Sequence, residues 1–132
     1  MRNEDALAEK IRECCHRQEA IIAAYLFGSA VTGRMQATSD VDVAVLVESE
    51  REVDFSFLAF AALLERACET PVDLVLLNRA GEVLKFQVRR YGRLVFERDS
   101  RKRKEFEVIS RKTYEDFLYL HKRHVRAVLY KG

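Results

Sequence analysis

The 132-residue chain lacks any apolar run that approaches the roughly 18 residues needed to cross a membrane. Its first ten residues, MRNEDALAEK, are charged and contain no apolar core of the kind that defines a secretory signal peptide. These two absences exclude a membrane protein and disfavour a secreted one. We therefore expect a cytoplasmic protein that has no membrane partner.

Cysteine and proline are scarce. The three cysteines, at positions 14, 15 and 68, are odd in number and have no CxxC spacing, which argues against a disulfide framework and a zinc site. We expect them to be small buried apolar groups. Because Pro71 is the only proline and no repeat or low-complexity segment is present, the chain has no candidate linker. The sequence predicts a single domain over residues 1–132.

The charge balance does not require a nucleic acid as partner. Lys and Arg number 23 against 21 Asp and Glu, which gives a net charge of +2. The main basic run, RKRK at 101–104, is expected to be a solvated first turn of a helix, the alternative being a contact with RNA, a nucleotide or an acidic partner. We do not expect direct binding of nucleic acid.

Hydrophobic periodicity predicts an alternation of helices and strands. Helices are expected over residues 3–17, 54–68, 80–91 and 99–130, with a short helix or turn over 30–35. Strands are expected over residues 21–27, 41–47, 72–77 and 93–97. This order indicates an α/β fold in which helices pack against a small sheet of about four strands.

The last predicted helix is too long for the domain. Its residues would span roughly 45 Å, whereas a domain of this size is about 30 Å across. The helix must therefore kink, or part of it must overhang and pack on something else. One face of it carries side chains at steps of three or four, namely Phe106, Ile109, Thr113, Phe117, Leu120, His124 and Val128.

Two carboxylates occupy the start of an otherwise apolar strand, in SDVDVAVLV. Because side chains alternate along a strand, Asp40 and Asp42 point to one side, and Val41, Val43 and Val45 point to the other, into the core. Two carboxylates this close repel each other, and a divalent cation removes the conflict. Hard oxygen ligands without nearby His or Cys favour Mg²⁺ or Mn²⁺.

A third carboxylate, Asp73, lies near the start of the next predicted strand, in PVDLVLLN. If the two strands are neighbours, about 4.8 Å apart, the three carboxylates converge. Such a cluster can hold two metal ions and stabilise the attacking and leaving oxygens of a phosphoryl or nucleotidyl transfer.

A possible phosphate-binding loop precedes these carboxylates. Gly28 and Ser29 end the first strand, where glycine lets the backbone approach a phosphate and a following helix would present free N–H groups. The hydroxyl of Ser29 can bind a phosphate oxygen. A nucleoside triphosphate would then lie between this loop and metals held by Asp40 and Asp42.

The combined pattern, Gly-Ser, ten residues, Asp-Val-Asp, then Asp73 on a later strand, resembles the minimal nucleotidyltransferases of the DNA polymerase β superfamily. Leu77-Asn78 and the RLVFERD stretch before the terminal helix are similar to the MNT antitoxins of HEPN/MNT toxin–antitoxin pairs. The resemblance implies a polymerase β-like fold, with a small mixed sheet and a long C-terminal helix.

The same resemblance implies roles for individual residues. Asp40 and Asp42 would bind both metals, and Asp73 would complete the second metal site and help to deprotonate the attacking hydroxyl. Gly28 and Ser29 would hold the β- and γ-phosphates of ATP, and Arg34 and Ser39 are expected to contact the nucleotide as well. Many relatives carry an arginine within the loop, as in GSxARG; this chain has Thr32 there, and Arg34 is the expected substitute.

Members of the antitoxin group transfer AMP from ATP to a tyrosine of a HEPN ribonuclease, which inactivates it. The resemblance therefore implies a Mg²⁺- and ATP-dependent enzyme that forms a hetero-oligomer with its cognate HEPN toxin. Two alternatives remain open. The chain could neutralise a toxin by binding alone, or it could transfer a nucleotide to RNA or to a small molecule.

Overall fold

A computed structural model describes residues 4–28 and 40–130. The helices are α1 (Glu4–His16), α2 (Phe57–Cys68), α3 (Glu82–Tyr91) and α4 (Ser100–Tyr130). The strands are β1 (Ile21–Phe27), β2 (Val41–Val47), β3 (Val72–Leu76) and β4 (Arg93–Glu97). Short 3₁₀ turns cover Ser49–Arg51 and Leu77–Arg79. The expected α/β fold with four strands and a long terminal helix is confirmed.

The four strands form one mixed sheet in the order β3-β2-β1-β4. Strand β1 is antiparallel to both β2 and β4, and β2 is parallel to β3. A parallel pair requires a crossover connection, and helix α2 supplies it. The register places Asp42 beside Asp73 on β3 and beside Phe27 on β1.

Helices cover both faces of the sheet. Helices α1 and α2 pack on one face, where Val41, Val43 and Val45 are fully buried as the alternation predicts. Helices α3 and α4 pack on the other face through Val88 and Phe106, against a cluster that includes Ala44. The residues of β2 that follow Asp42 are therefore buried from both sides, which is why the strand is almost entirely apolar.

Several predicted boundaries differ from the structure by one to three residues. Helix α2 begins at Phe57 rather than at Asp54, because the hydroxyl of Ser56 accepts a hydrogen bond from the N–H of Ala59 and caps the helix (3.3 Å). Helix α3 begins at Glu82 rather than at residue 80, and Gly92 ends it, its N–H donating to the carbonyl of Val88 (2.8 Å). The predicted short helix or turn over 30–35 lies outside the described residues.

The three cysteines are buried and free, as expected from the sequence. Burial raises the pKa of the Cys15 thiol to about 12 and that of the Cys68 thiol to about 11. The thiols are therefore protonated at neutral pH and act as packing groups rather than as nucleophiles or ligands.

Strand β3 ends one residue earlier than predicted because the chain turns at Leu77, and a side chain then continues the pairing with β2. The amide of Asn78 accepts a hydrogen bond from the N–H of Val47 (2.9 Å) and donates one to its carbonyl (2.7 Å). Asn78 thus satisfies both backbone groups of a buried strand residue at the end of the sheet opposite Asp42.

Helix α4 is continuous over 31 residues, or about 46 Å, and only its first half packs on the body of the protein. The predicted helix face is partly wrong, since Ile109 and Thr113 are exposed. The body-facing positions include polar groups that hydrophobic periodicity could not identify. Glu107 accepts a hydrogen bond from the hydroxyl of Tyr25 (2.9 Å), and Ser110 accepts one from Arg89 (2.6 Å).

The basic run at the start of α4 is largely paired within the chain. Arg101 contacts Glu105 (3.3 Å), Lys102 contacts Glu48, and Arg103 contacts both Glu97 and Glu107. Three of its four cations thus already face carboxylates within the chain. In the part of the chain that is described, no helix is both long and apolar enough for a membrane span.

Replacing Asn78 by alanine should lower the free energy of unfolding by about 1–3 kcal/mol, because both backbone groups of Val47 lose their partner. Urea unfolding followed by circular dichroism measures the loss. The matched control is Arg79→Ala, which removes an exposed ion pair with Glu52 and should cost less than about 1 kcal/mol. Equal urea midpoints for the two variants would show that the hydrogen bonds of the Asn78 amide stabilise the protein no more than the exposed ion pair does.

Candidate active site

The site lies at the edge of the sheet where β1 ends and where β2 and β3 begin. Because β2 and β3 are parallel, both strands enter the sheet from this edge, and Asp42 and Asp73 are register partners on neighbouring strands about 4.8 Å apart. Strand β1 runs the opposite way, so its last residue, Phe27, arrives beside Asp42. Asp40 immediately precedes β2, and Gly28 immediately follows β1.

Asp42 is the half-buried member of the carboxylate group, whereas Asp40 and Asp73 are exposed. Burial raises the pKa of Asp42, and the negative charges of Asp73 and Asp40 raise it further. A side-chain hydrogen bond between Asp42 and Asp73 raises it as well, as the smallest of these effects. The structure thus places Asp42 beside Asp73, with Asp40 near enough for its charge to act on Asp42.

The donor chemistry fits a divalent cation, although no three His, Cys, Asp or Glu side chains within residues 4–28 and 40–130 already stand together as a metal cluster. Asp42 and Asp73 are register partners, and the negative charges of Asp73 and Asp40 both act on Asp42. A cation would offset this repulsion. Carboxylate oxygens are ligands that Mg²⁺ and Mn²⁺ accept. Asp40, Asp42 and Asp73 are the residues that would hold it.

Gly28 lies directly against the carboxylate of Asp42. Its φ is +76°, in the left-handed region, and a Cβ placed there would be 2.2 Å from Oδ2 of Asp42. No side chain fits at this position without displacing the carboxylate. The sequence indicated that Gly28 allows close approach to a phosphate. The steric relation to Asp42 is a further role, which a single sequence could not reveal because it depends on the β1–β2 register.

The other predicted nucleotide contacts, Ser29, Arg34 and Ser39, lie outside the described residues. Their roles remain predictions. Of the proposed loop, the structure describes Gly28 alone, and it places this residue beside the carboxylates.

Replacing Gly28 by alanine should lower the free energy of unfolding by at least about 1–2 kcal/mol, from the positive φ alone, and should weaken binding of Mn²⁺ by displacing Asp42. Chemical denaturation and isothermal titration with Mn²⁺ measure the two effects. Gly81→Ala is the matched control, because a Cβ there meets nothing within 4 Å. The steric argument is wrong if both variants bind Mn²⁺ like the wild type.

Replacing Asp42 by asparagine should raise the melting temperature of the metal-free protein, because it removes a charge that burial and two carboxylates oppose. Mg²⁺ should stabilise the wild type in the same assay and should have little effect on the variant. Differential scanning fluorimetry with and without millimolar Mg²⁺ tests both points. Asp54→Asn, at an exposed carboxylate away from the cluster, should preserve the Mg²⁺ response.

Comparison with known proteins identifies the family of the chain. The sequence model of the family described as "Polymerase beta, Nucleotidyltransferase" matches residues 9–101, which contain β1, β2, β3 and all three carboxylates. No curated protein matches the chain significantly.

Solved structures of toxin–antitoxin complexes share the fold over almost the whole chain. One was solved with AMP-PNP; it is 25% identical, covers 97% of this chain and 99% of the other, and has a TM-score of 0.73. A second, a mutant form of a toxin–antitoxin complex that contains MntA, is 26% identical over 98% and 99% of the two chains, with a TM-score of 0.71.

A third solved structure is a tri-AMPylated Shewanella oneidensis HEPN toxin in complex with MNT antitoxin. It is 24% identical over 96% of this chain and 98% of the other, with a TM-score of 0.71, and at that identity it supports the fold alone. The family match extends over more than half of the chain and includes the carboxylate edge. The chain therefore belongs to the polymerase beta family of nucleotidyltransferases.

Proposed function

We propose that this protein transfers AMP from MgATP to a hydroxyl group, a tyrosine, of a cognate HEPN ribonuclease toxin, and so inactivates the toxin. The observation that carries the proposal is the meeting of Asp42 with Asp73, near Asp40 and against Gly28, at one edge of the sheet. In this proposal it acts in the cytoplasm as a single domain, within a hetero-oligomer, and needs no nucleic-acid contact of its own.

We take the nucleotide and the acceptor of this proposal from what two solved neighbours contain. One toxin–antitoxin structure was solved with AMP-PNP, an ATP analogue, and another contains a HEPN toxin that carries three AMP groups. Both match this chain over nearly the full length of each partner in the comparison, so the similarity includes the terminal helix as well as the carboxylate edge.

The reaction forms one bond and breaks one bond. The acceptor oxygen attacks the α-phosphorus of ATP, the bond between the α-phosphorus and the bridging oxygen breaks, and pyrophosphate leaves. The acceptor proton passes to the exposed carboxylate of Asp73, which can exchange it with solvent. The bound Mg²⁺ would supply positive charge for the phosphate oxygens. Asp40 and Asp42 would hold that charge in place, and the close approach of Gly28 leaves room for the carboxylate of Asp42.

The architecture of the described residues is in keeping with an acceptor that arrives on another protein. The described residues form one four-stranded sheet with a helical layer on each face, and none of these elements forms a separate acceptor-binding domain. A macromolecular acceptor that brings its own binding surface removes the need for one.

A second candidate is an antitoxin that neutralises its toxin by binding alone. The observation that favours it is the second half of α4. Its side chains are exposed and largely apolar, and they lie beyond the part of the helix that packs on the body. Binding there would not require the carboxylates.

Incubation with Mg²⁺ and ATP labelled on the α-phosphate should place label on one RNase-resistant protein, the toxin, in a lysate that contains it. Replacing Asp40 and Asp42 together by alanine should lower the labelling by roughly 100-fold or more, the scale of losing charge stabilisation in an active site. Gel autoradiography followed by mass spectrometry identifies the labelled protein and residue.

ATP labelled on the γ-phosphate is the control, because pyrophosphate carries that label away. Label that RNase removes would show that the acceptor is RNA, and label on a small molecule would show that the acceptor is that molecule. Either result would contradict the toxin as the acceptor. Full neutralisation of the toxin by the Asp40→Ala, Asp42→Ala variant, with no labelled protein from the wild type, would support neutralisation by binding alone.

A further inference from the structure

The second half of helix α4 extends away from the body of the protein. We call residues 115–129 the distal segment; every side chain in it is exposed. Its 15 residues span about 22 Å. A helix of this length that packs on nothing is marginal in water, since most helical stability in proteins comes from packing of an apolar face. The distal segment therefore has the form of a helix that lacks its packing partner.

The face that packs on the body continues into the distal segment. At about 100° per residue, the body-facing positions of α4, such as Ser110 and Tyr114, align with Phe117 and His121 further along. A row of rings follows the same line: Phe86 on α3 stacks on Tyr114 (4.4 Å between centroids), and Tyr114 is followed by Phe117 (6.2 Å) and His121 (6.0 Å). The side of α4 that packs on the body therefore continues, exposed, along the distal segment.

The apolar surface of the distal segment is wide. On a helical projection its large apolar side chains, together with two histidines, fall within an arc of about 180°. They are Phe117, Leu118, Leu120, Val125, Val128 and Leu129, and their exposed fractions run from 36% to 72%. The seam of a two-helix coiled coil is narrower than this arc. An arc this wide fits a groove between two helices of a partner.

A second copy of this chain would cover the arc poorly. Two helices that lie side by side over 22 Å bury on the order of 700 Å² in total, whereas a stable specific interface buries about 1,200 Å² or more. One opposing helix would also leave much of the arc in water. The area and the width both favour a larger partner over a homodimer.

The charges indicate the character of that partner. The side opposite the apolar arc is basic along the outer two thirds of the distal segment, through Lys122, Arg123 and Arg126, whereas Glu115 and Asp116 lie next to the body. Lys122 borders the apolar arc. Of these cations Lys122 alone lies at the border of the arc, so an acidic group at the rim of the groove would complement Lys122, while Arg123 and Arg126 stay in water.

We propose that the distal segment is the docking surface for the protein that carries the acceptor hydroxyl, the toxin. It lies with its apolar arc in a groove between two helices of that protein, and the rim of the groove is acidic where it meets Lys122. The inference rests on the proposed function for the identity of the partner. It separates docking, through the distal segment, from catalysis, at the carboxylate edge.

The test measures the affinity of the purified toxin for this chain by isothermal titration calorimetry, without ATP or metal. All variants are made in the Asp40→Ala, Asp42→Ala background, so that AMP transfer cannot contribute. Leu118→Glu and Val125→Glu, within the arc, should each weaken binding by about tenfold or more. Raising the salt concentration should weaken binding of the unsubstituted distal segment.

Tyr119→Glu is the matched control, because it introduces the same side chain on the charged side of the helix, four residues before Arg123, whose guanidinium lies over the Tyr119 ring. Its affinity should stay within about twofold of the parent. All three positions are exposed, so the melting temperature and helical content should be preserved and can be checked by circular dichroism.

Equal losses for the three variants, or no loss for Leu118→Glu and Val125→Glu, would overturn the docking proposal. So would a homodimer in sedimentation equilibrium that Val125→Glu dissociates while toxin binding is unchanged, or a complex that RNase destroys.

The results also distinguish the docking proposal from the proposed function. If the chain with its carboxylates intact never transfers AMP but Val125→Glu abolishes binding, the proposed function fails and the docking proposal stands. If AMP transfer occurs and Val125→Glu binds normally, only the docking proposal fails.

Discussion

The parallel pairing of β2 with β3 is the constraint on which the site depends. It sets Asp42 beside Asp73 at the edge where both strands enter the sheet, and it does so at a position half removed from water. Both burial and the neighbouring negative charges raise the pKa of Asp42, so the ionised form of this carboxyl group is destabilised when no metal is bound. A divalent cation would offset that destabilisation, which links the stability of the edge to occupation by the ion.

The rest of the fold holds this edge in register. Beyond Asp42, strand β2 is buried between two helical layers, so a slip of one residue would move its valines to the face covered by α3 and α4 and turn Asp42 towards the face covered by α1 and α2. At the far end, the Asn78 amide pairs with both backbone groups of Val47 and anchors the strand after β3 has ended. Gly28 completes the arrangement by allowing the chain leaving β1 to pass against Asp42.

Helix α4 joins two regions that need not act together. Its first half is tied to the sheet through the Tyr25–Glu107 hydrogen bond and to α3 through the Arg89–Ser110 hydrogen bond, and both pairs are partly shielded from water. Its second half has no such contacts with the described body and carries a broad apolar arc. Under the proposed function the chain has to hold a protein substrate as well as perform the chemistry, and one continuous helix offers a rigid means of placing the two regions at a set distance.

The sequence by itself determined the element order, the family resemblance and the three carboxylates, because strand alternation and hydrophobic periodicity are local properties. The valines of β2, the buried cysteines and most element boundaries followed from the same local rules. Only the tertiary structure decided the partners of those residues. The Gly28–Asp42 contact depends on strand register, the Asn78–Val47 pair joins residues 31 positions apart, and the body-facing side of α4 includes Glu107 and Ser110. Glu107 and Ser110 face the body because side chains distant in the sequence satisfy their hydrogen bonds. The apolar periodicity of a single helix cannot predict such partners.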